Sequence, residues 1–414
     1  MTAAVKVDIA RLSAELEELA GFTDSPAPSV TRILFTATDR AAREFFKQCC
    51  RETGLLIRED AVGNIFGRWV GSDPQASAVG TGSHTDAIPN SGRYDGTVGV
   101  FGGLEAIRAL RAAGHKPRRS IELLMFTAEE PTRYGIGCLG SRLLSGTLSP
   151  AAATALRDGS GTSLDEARAE CGFRGDLATV ALAAGYYETF VELHIEQGPL
   201  LEKEGLAIGI VEAIAAPASM RVVFHGQGGH AGTVMMPDRR DALLGAAELA
   251  LAVDRAARAT GSPSTVGTVG VMQPFPGAIN SIPSRCTIEI DVRDTALEPR
   301  DAAVEEILSG ARAIAERRGL TVGIQMLNAD PPATCGTAVV EAVARASAQL
   351  GIPSRRMVSR AYHDSLFMAR VCPTGMIFIP CRDGVSHRPD EYSSPEEIRR
   401  GVEVLALTLA ELSE

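Results

Sequence analysis

Residues 121–131, IELLMFTAEEP, read as a strand that ends on chemistry. The run from Ile121 to Phe126 carries one charge among large apolar side chains and stops shortly before Pro131. It is too short for an ordinary helix and fits a strand buried on both faces. It delivers Glu129 and Glu130 side by side at its C-terminal end, where open α/β sheets bind ligands. A buried carboxylate pair is costly unless a cation compensates it, although a solvated loop start accounts equally well for the pair alone.

Working outward, a strand over 78–83 leads into a Gly-rich polar loop through Gly99, then a helix over 100–113 closed by Gly114. The stretch 189–195, TFVELHI, runs likewise into Glu196 and Gln197. Between 215 and 330 the pattern changes to strand 220–225, helix 241–260, strands 266–272 and 286–293, helix 301–318 and strand 321–326. That βαββαβ order predicts a compact α+β unit inserted into a larger α/β domain. After Pro331-Pro332 the alternation resumes with helix 337–351, strand 375–379 and helix 395–413. The expected domains are therefore 1–214 with 331–414, and 215–330.

A chain of 414 residues has ample core-forming capacity for two or three domains. Its 51 acidic against 41 basic side chains leave a net charge of −10, which repels a phosphate backbone and argues against nucleic-acid binding. The eight cysteines include no C-x-x-C pair, so reduced intracellular thiols are expected. Charges at Lys6, Asp8, Arg11 and Glu15 interrupt the N-terminal region, and no apolar run is long enough to span a bilayer. A cytoplasmic protein without membrane contact is expected.

Seven histidines occur, and three stand beside carboxylates at strand ends: GSHTD (82–86), followed by GRYDG (92–96); HIEQGP (194–199); and SHRPDE (386–391). Imidazoles and carboxylates so placed could make two divalent sites with open positions. Paired ions polarise a carbonyl and acidify a shared water. His115, in a helix-exit loop, is expected to be solvated, and His225 to cap a strand edge. Asp364 either orients a ligand or satisfies local backbone.

Several long stretches carry a resemblance across the whole chain: SHTDAIPNSGRYDGTVGV (83–100), FTAEEPTRYGIGCLGSRLL (126–144), ELHIEQGPLLE (192–202), GGHAGTVMMP (228–237), PGAINSIPS (276–284), SRAYHDSLFMAR (359–370) and MIFIPC (376–381). With these the sequence resembles the amidase/carbamoylase branch of the M20 metallopeptidase family. That branch includes N-carbamoyl-L-amino-acid hydrolases, allantoate amidohydrolases and ureidoglycolate amidohydrolases, and the chain most resembles the last group. The resemblance implies a metallopeptidase-like catalytic domain with a mixed sheet and flanking helices, two divalent ions with manganese favoured over zinc, and a homodimer formed through the inserted lid domain.

By position, the resemblance makes His84 and His194 ligands of one ion and Glu130 and His387 ligands of the other, with Asp95 bridging. Glu129 becomes the general base, and Asp86 orients the His84 imidazole. His230, donating to the oxyanion, and Asn280 would reach the substrate from the inserted domain, in cis or from the partner subunit. Arg293 would bind a carboxylate through its planar fork. Gln197, Tyr362 and His363 would line the pocket near the ureido group of a small ureido acid.

One departure bears on substrate. The wider carbamoylase pattern has small residues before the late His-Asp pair, whereas this chain has Ala361-Tyr362. A tyrosine fills space and adds a hydroxyl, which favours a small substrate with a polar α-substituent such as ureidoglycolate. N-carbamoyl amino acids or allantoate remain the alternative substrates, and a silent ligand-binding homologue is the alternative of another class.

Overall fold

The computed structural model describes residues 5–414; the first four positions of the expected larger domain lie outside the described residues. The chain divides into two compact units. One holds the residues up to Glu212 with Cys335–Ser359 and His363–Glu414, the other Ala213–Thr334 with Arg360–Tyr362.

The first unit is built on a mixed sheet in the order Leu56–Glu59, Ile65–Trp69, Ile121–Phe126, Ala78–His84, Tyr187–Ile195, Thr374–Ile379, Ile208–Ile214. The strands from Ile121–Phe126 to Thr374–Ile379 in that order run parallel, and antiparallel neighbours flank them. Parallel strands need cover on both faces, and Ala78–His84, Ile121–Phe126 and Thr374–Ile379 are buried at every position. Helices Thr97–Ala112 and Pro395–Leu412 pack together over one face. Elsewhere Leu124, Phe126 and Phe190 join Leu139, Leu143 and Leu164 in a common core. At Gly82, with φ +150°, a Cβ would fall 2.0 Å from the Leu124 carbonyl oxygen, so only glycine permits this approach. Because the inner strands share a direction, the loops after His84, Phe126, Ile195 and Ile379 open at one edge of the sheet.

The second unit is an antiparallel sheet in the order Val266–Phe275, Arg285–Asp294, Ala216–His225, Thr321–Ala329. Period-two alternation sends Met220, Val222 and Phe224 together with Ile288, Ile290 and Val292 into a core shared with helices Ala242–Ala259 and Leu297–Arg318. A two-residue ribbon pairs Gly229–His230 with Ser281–Ile282. The Ala216–His225 strand has a partner on each side, so His225 ends an interior strand and caps no edge, contrary to expectation. His115 also departs from expectation. It is half-buried, its Nε2 lies 3.2 Å from Ser413 Oγ, and its ring meets Trp69 edge-on. Among the described residues no helix is long and apolar enough to cross a membrane.

Candidate metal centre and its surroundings

Asp95, in the loop before helix Thr97–Ala112, has its two oxygens turned to different histidines. Oδ1 lies 3.1 Å from His194 Nε2 and 3.6 Å from His84 Nε2, while Oδ2 lies 3.2 Å from His387 Nε2. His387 Nε2 is in turn 3.2 Å from Glu130 Oε1. Donor atoms of His84, Asp95 and His194 lie within 4.8 Å of one another, and so do those of Asp95, Glu130 and His387. Two donor sets thus share one carboxylate. At Gly96, with φ +67°, a Cβ would stand 2.4 Å from the His84 ring, so a glycine there lets the loop close on the imidazole.

Burial opposes charge at Asp95, His84 and His387, yet their neighbours favour the ionised forms. Hydrogen bonds from His194, His387 and His84 outweigh burial at Asp95 and keep its carboxyl well below the usual range. At His84 the Asp86 and Asp95 carboxylates outweigh burial and raise the imidazole well above its ordinary value. His387, beside Asp95 and Glu130, is pushed up to about 11. These imidazole protons stand where a divalent cation would put its charge, and binding one would release them. The donor chemistry, three imidazoles with buried carboxylates, fits a borderline ion such as Zn²⁺ or Mn²⁺.

Glu129 follows Ala128, whose φ is +53°. The bend is held by Asp86, whose Oδ1 accepts the Glu129 N–H at 3.2 Å and whose Oδ2 accepts the Glu130 N–H at 3.0 Å. Burial, reinforced by Glu130, Asp364 and Asp95 and opposed by His84, raises the Glu129 carboxyl well above the usual range. Its Oε2 lies 3.8 Å from His84 Nε2, so it borders the first donor set without belonging to either. The arrangement, paired cation sites beside a basic carboxylate, suits hydrolysis of a polarised carbonyl.

Residues 80–411 match the sequence profile of Peptidase family M20/M25/M40. Over its whole length the chain is 52% identical to the ureidoglycolate hydrolase of Arabidopsis thaliana, covering 88% of that protein. It is 54% identical to the ureidoglycolate hydrolase of Oryza sativa subsp. japonica, over 98% of this chain and 85% of that protein. Crystal structures of AtUAH with (S)-hydroxyglycine and with glyoxylate each share 52% identity and a TM-score of 0.89, covering 99% of both chains. The chain belongs to the M20 peptidase family.

The other residues expected at the site of this M20 chain fall into two groups. Gln197 and His363 lie in the first unit. Gln197 Nε2 donates to Asp95 Oδ2 at 2.6 Å, and its buried Oε1 has no hydrogen-bond partner. The His363 ring packs against His194, with centroids 4.6 Å apart, and its Nε2 meets Ser359 Oγ at 2.9 Å. Burial and the neighbouring His194 hold His363 well below the usual imidazole range, so it is neutral. It also groups with Glu192 and His194 as a possible ligand set, but both Glu192 oxygens already accept hydrogen bonds, from Ser83 and Ser365.

His230, Asn280, Arg293 and Tyr362 lie in the second unit. The ribbon brings His230 and Asn280 together, with the Ala231 N–H donating to the Asn280 carbonyl at 2.9 Å. The Gly232 N–H donates to His230 Nδ1 at 3.1 Å, which makes Nδ1 the acceptor and leaves Nε2 to carry the ring N–H. Arg293 forks onto Asp291, with Nε 2.7 Å from Oδ1. The Tyr362 hydroxyl donates to Asp330.

Asp86 meets its expected partner in a different way: His84 Nδ1 lies 3.0 Å from the Asp86 carbonyl and 3.6 Å from its carboxylate. Sequence reasoning passed over three residues of this centre. Cys138 donates to Glu129, Ser386 to Asp95, and Glu391 accepts from the Asp95 loop. Ser386 and Glu391 lay within the SHRPDE stretch, and Cys138 within FTAEEPTRYGIGCLGSRLL.

Proposed function

We propose that this chain is a metal-dependent amidohydrolase that cleaves the terminal ureido C–N bond of ureidoglycolate. Water and the ureido acid give ammonia and a carbamate, which loses carbon dioxide to leave hydroxyglycine; loss of the second ammonia from that species leaves glyoxylate. The observation that carries this reading is the whole-length identity to two ureidoglycolate hydrolases, which exceeds the 40% shared with the N-carbamoyl-L-amino acid amidohydrolase of Geobacillus stearothermophilus. The hydroxyglycine and glyoxylate held by AtUAH are the species this chemistry would produce.

We assign His84 and His194 to one divalent ion and Glu130 and His387 to a second, with Asp95 shared and manganese favoured. Such ions supply Lewis acidity that polarises the ureido carbonyl and acidifies water. Glu129 then accepts the proton of the attacking water at its carboxylate and delivers it to the departing nitrogen. Asp86 keeps Glu129 and Glu130 aimed by holding both of their N–H groups. The partnerless Gln197 Oε1 suits a ureido N–H, because a buried acceptor gains most from a ligand donor. His363, neutral against His194, walls the pocket beside it.

From the second unit, of the same chain or of a partner copy, His230 offers its Nε2–H to the developing oxyanion, with Asn280 beside it. Arg293, already oriented by Asp291, binds the substrate carboxylate. Tyr362, whose hydroxyl donates to Asp330, fills space and favours a small substrate with a polar α-substituent. Exposed apolar side chains such as Leu251, Phe275, Ile279 and Leu327 support a lid unit that also forms a homodimer. A cytoplasmic setting is proposed from the cysteine spacing, which includes no C-x-x-C pair.

The test compares ammonia release from ureidoglycolate, allantoate and N-carbamoyl amino acids by chain stripped of metal and reloaded with Mn²⁺. Selective turnover of ureidoglycolate is the expected result. Preference for either other substrate would overturn the assignment of substrate while leaving the metal chemistry standing.

A further inference from the structure

His387 differs from the other histidines of the centre in how it is held. The side chains of His84 and His194 are 3% and 1% exposed, so packing fixes them, whereas that of His387 is 45% exposed. Its backbone also sits at φ +58°, a left-handed conformation that costs a non-glycine residue free energy unless the surroundings impose it. Something other than packing must therefore hold His387 against Asp95.

Glu391 supplies the connection. It is buried at 4% exposure, and its Oε1 accepts the N–H groups of Tyr94 at 2.8 Å and Asp95 at 3.0 Å. Ser386 Oγ lies 2.9 Å from Glu391 Oε2 and 2.7 Å from Asp95 Oδ2. The Glu391 N–H closes its own loop on the Arg388 carbonyl at 3.1 Å. Gly92 makes room for the carboxylate, since a Cβ there would lie 2.4 Å from Glu391 Oε1. The loop carrying His387 is thus tied through one buried side chain to the backbone of the residue that the two donor sets share.

We infer that Glu391, acting with Ser386, is the positioning residue that sets His387 against Asp95 and so fixes the second cation position. The inference rests on the ligand assignment proposed above. Glutamine at 391 would keep the oxygen that accepts both N–H groups, and its amide would donate to Ser386 Oγ, leaving the Ser386 proton on Asp95. Alanine would keep neither contact.

The test is calorimetric titration of the stripped full-length chain with Mn²⁺ alone, with circular dichroism to establish folding. Glu391→Ala should weaken one of two Mn²⁺ equivalents by about tenfold or more and leave the other unchanged, as loss of a ligand-orienting contact does. Glu391→Gln should stay within about threefold of the parent on the same scale, and Ser386→Ala should weaken the same equivalent as Glu391→Ala. Parental binding by Glu391→Ala, or a Glu391→Gln loss as large as that of alanine, would overturn the inference. Should Glu391→Ala fail to fold, Ser386→Ala decides: weakening of one equivalent supports the tether, and parental binding overturns it. His387→Ala separates the two levels. If it binds both equivalents like the parent, the ligand assignment itself fails; if it loses one while Glu391→Ala and Ser386→Ala do not, only the tether fails.

Discussion

The thiol of Cys138 donates to Oε1 of Glu129 across 3.5 Å. Burial drives this thiol well above its usual range, so it is a neutral donor, and it leaves Oε2 of Glu129 facing His84. Cys138→Ala should lower kcat roughly three- to tenfold with KM nearly unchanged, the consequence of losing one modest hydrogen bond of about 1 kcal/mol. Cys138→Ser, which keeps a donor, should recover most of that loss. Steady-state ammonia release checks both.

Glu129 carries the proton traffic in the proposed reaction and touches neither donor set as a member. Glu129→Gln should therefore retain Mn²⁺ while kcat falls by at least about a hundredfold. Elemental analysis beside the kinetic assay separates the two quantities. Near-parental turnover would remove Glu129 from its role.

Arg293 meets Asp291 through Nε and Nη2, which aims its fork before any ligand arrives. Arg293→Ala should raise KM for ureidoglycolate roughly ten- to a hundredfold, in line with a lost charge-assisted pair. KM for a neutral ureido amide should barely move. Lysine should not restore the parent value, because it lacks the planar fork. Equal effects on charged and neutral substrates would refute carboxylate binding at this position.

Removal of metal bears on stability as well as rate. A cation that binds the folded chain and not the unfolded one stabilises it by about 2.7 kcal/mol at a hundredfold excess over its Kd. Chelation should thus lower the melting temperature and abolish ammonia release, and Mn²⁺ should restore both. Thermal melts with and without chelator provide the check, and an unchanged melt with full activity would exclude a metal-dependent reaction.

Much of this architecture was legible in the residue pattern, because fully buried parallel strands announce themselves as short apolar runs. Ile121–Phe126, Thr374–Ile379 and the alternating Arg285–Asp294 follow directly from their side chains. Ser354–Ser359 was not legible: its SRRMVS sequence has two arginines and a half-exposed pattern, and only pairing with Ile208–Ile214 makes it a strand. Helices Ile9–Gly21 and Ala37–Glu52 went unassigned although Asp8 and Thr36 cap them. The donor histidines and acids stood out by motif. Cys138, Ser386 and Glu391 did not, because a residue that acts by holding another shows its role only through distance. The setting of His115 is hidden for the same reason: its partners Trp69 and Ser413 lie far away in the sequence.

The tie between Asp95 and Glu391 joins positions 296 residues apart, and that span sets a timetable for the growing chain. A nascent polypeptide holds His84, Asp95, Glu130 and His194 long before His387 and Glu391 are synthesised, so until the final stretch emerges it can offer only one of its two donor sets complete. Under the proposed assignment, filling both positions would therefore wait for the end of synthesis, and a product ending before residue 386 would hold every strand of the sheet yet lack His387 of the second donor set.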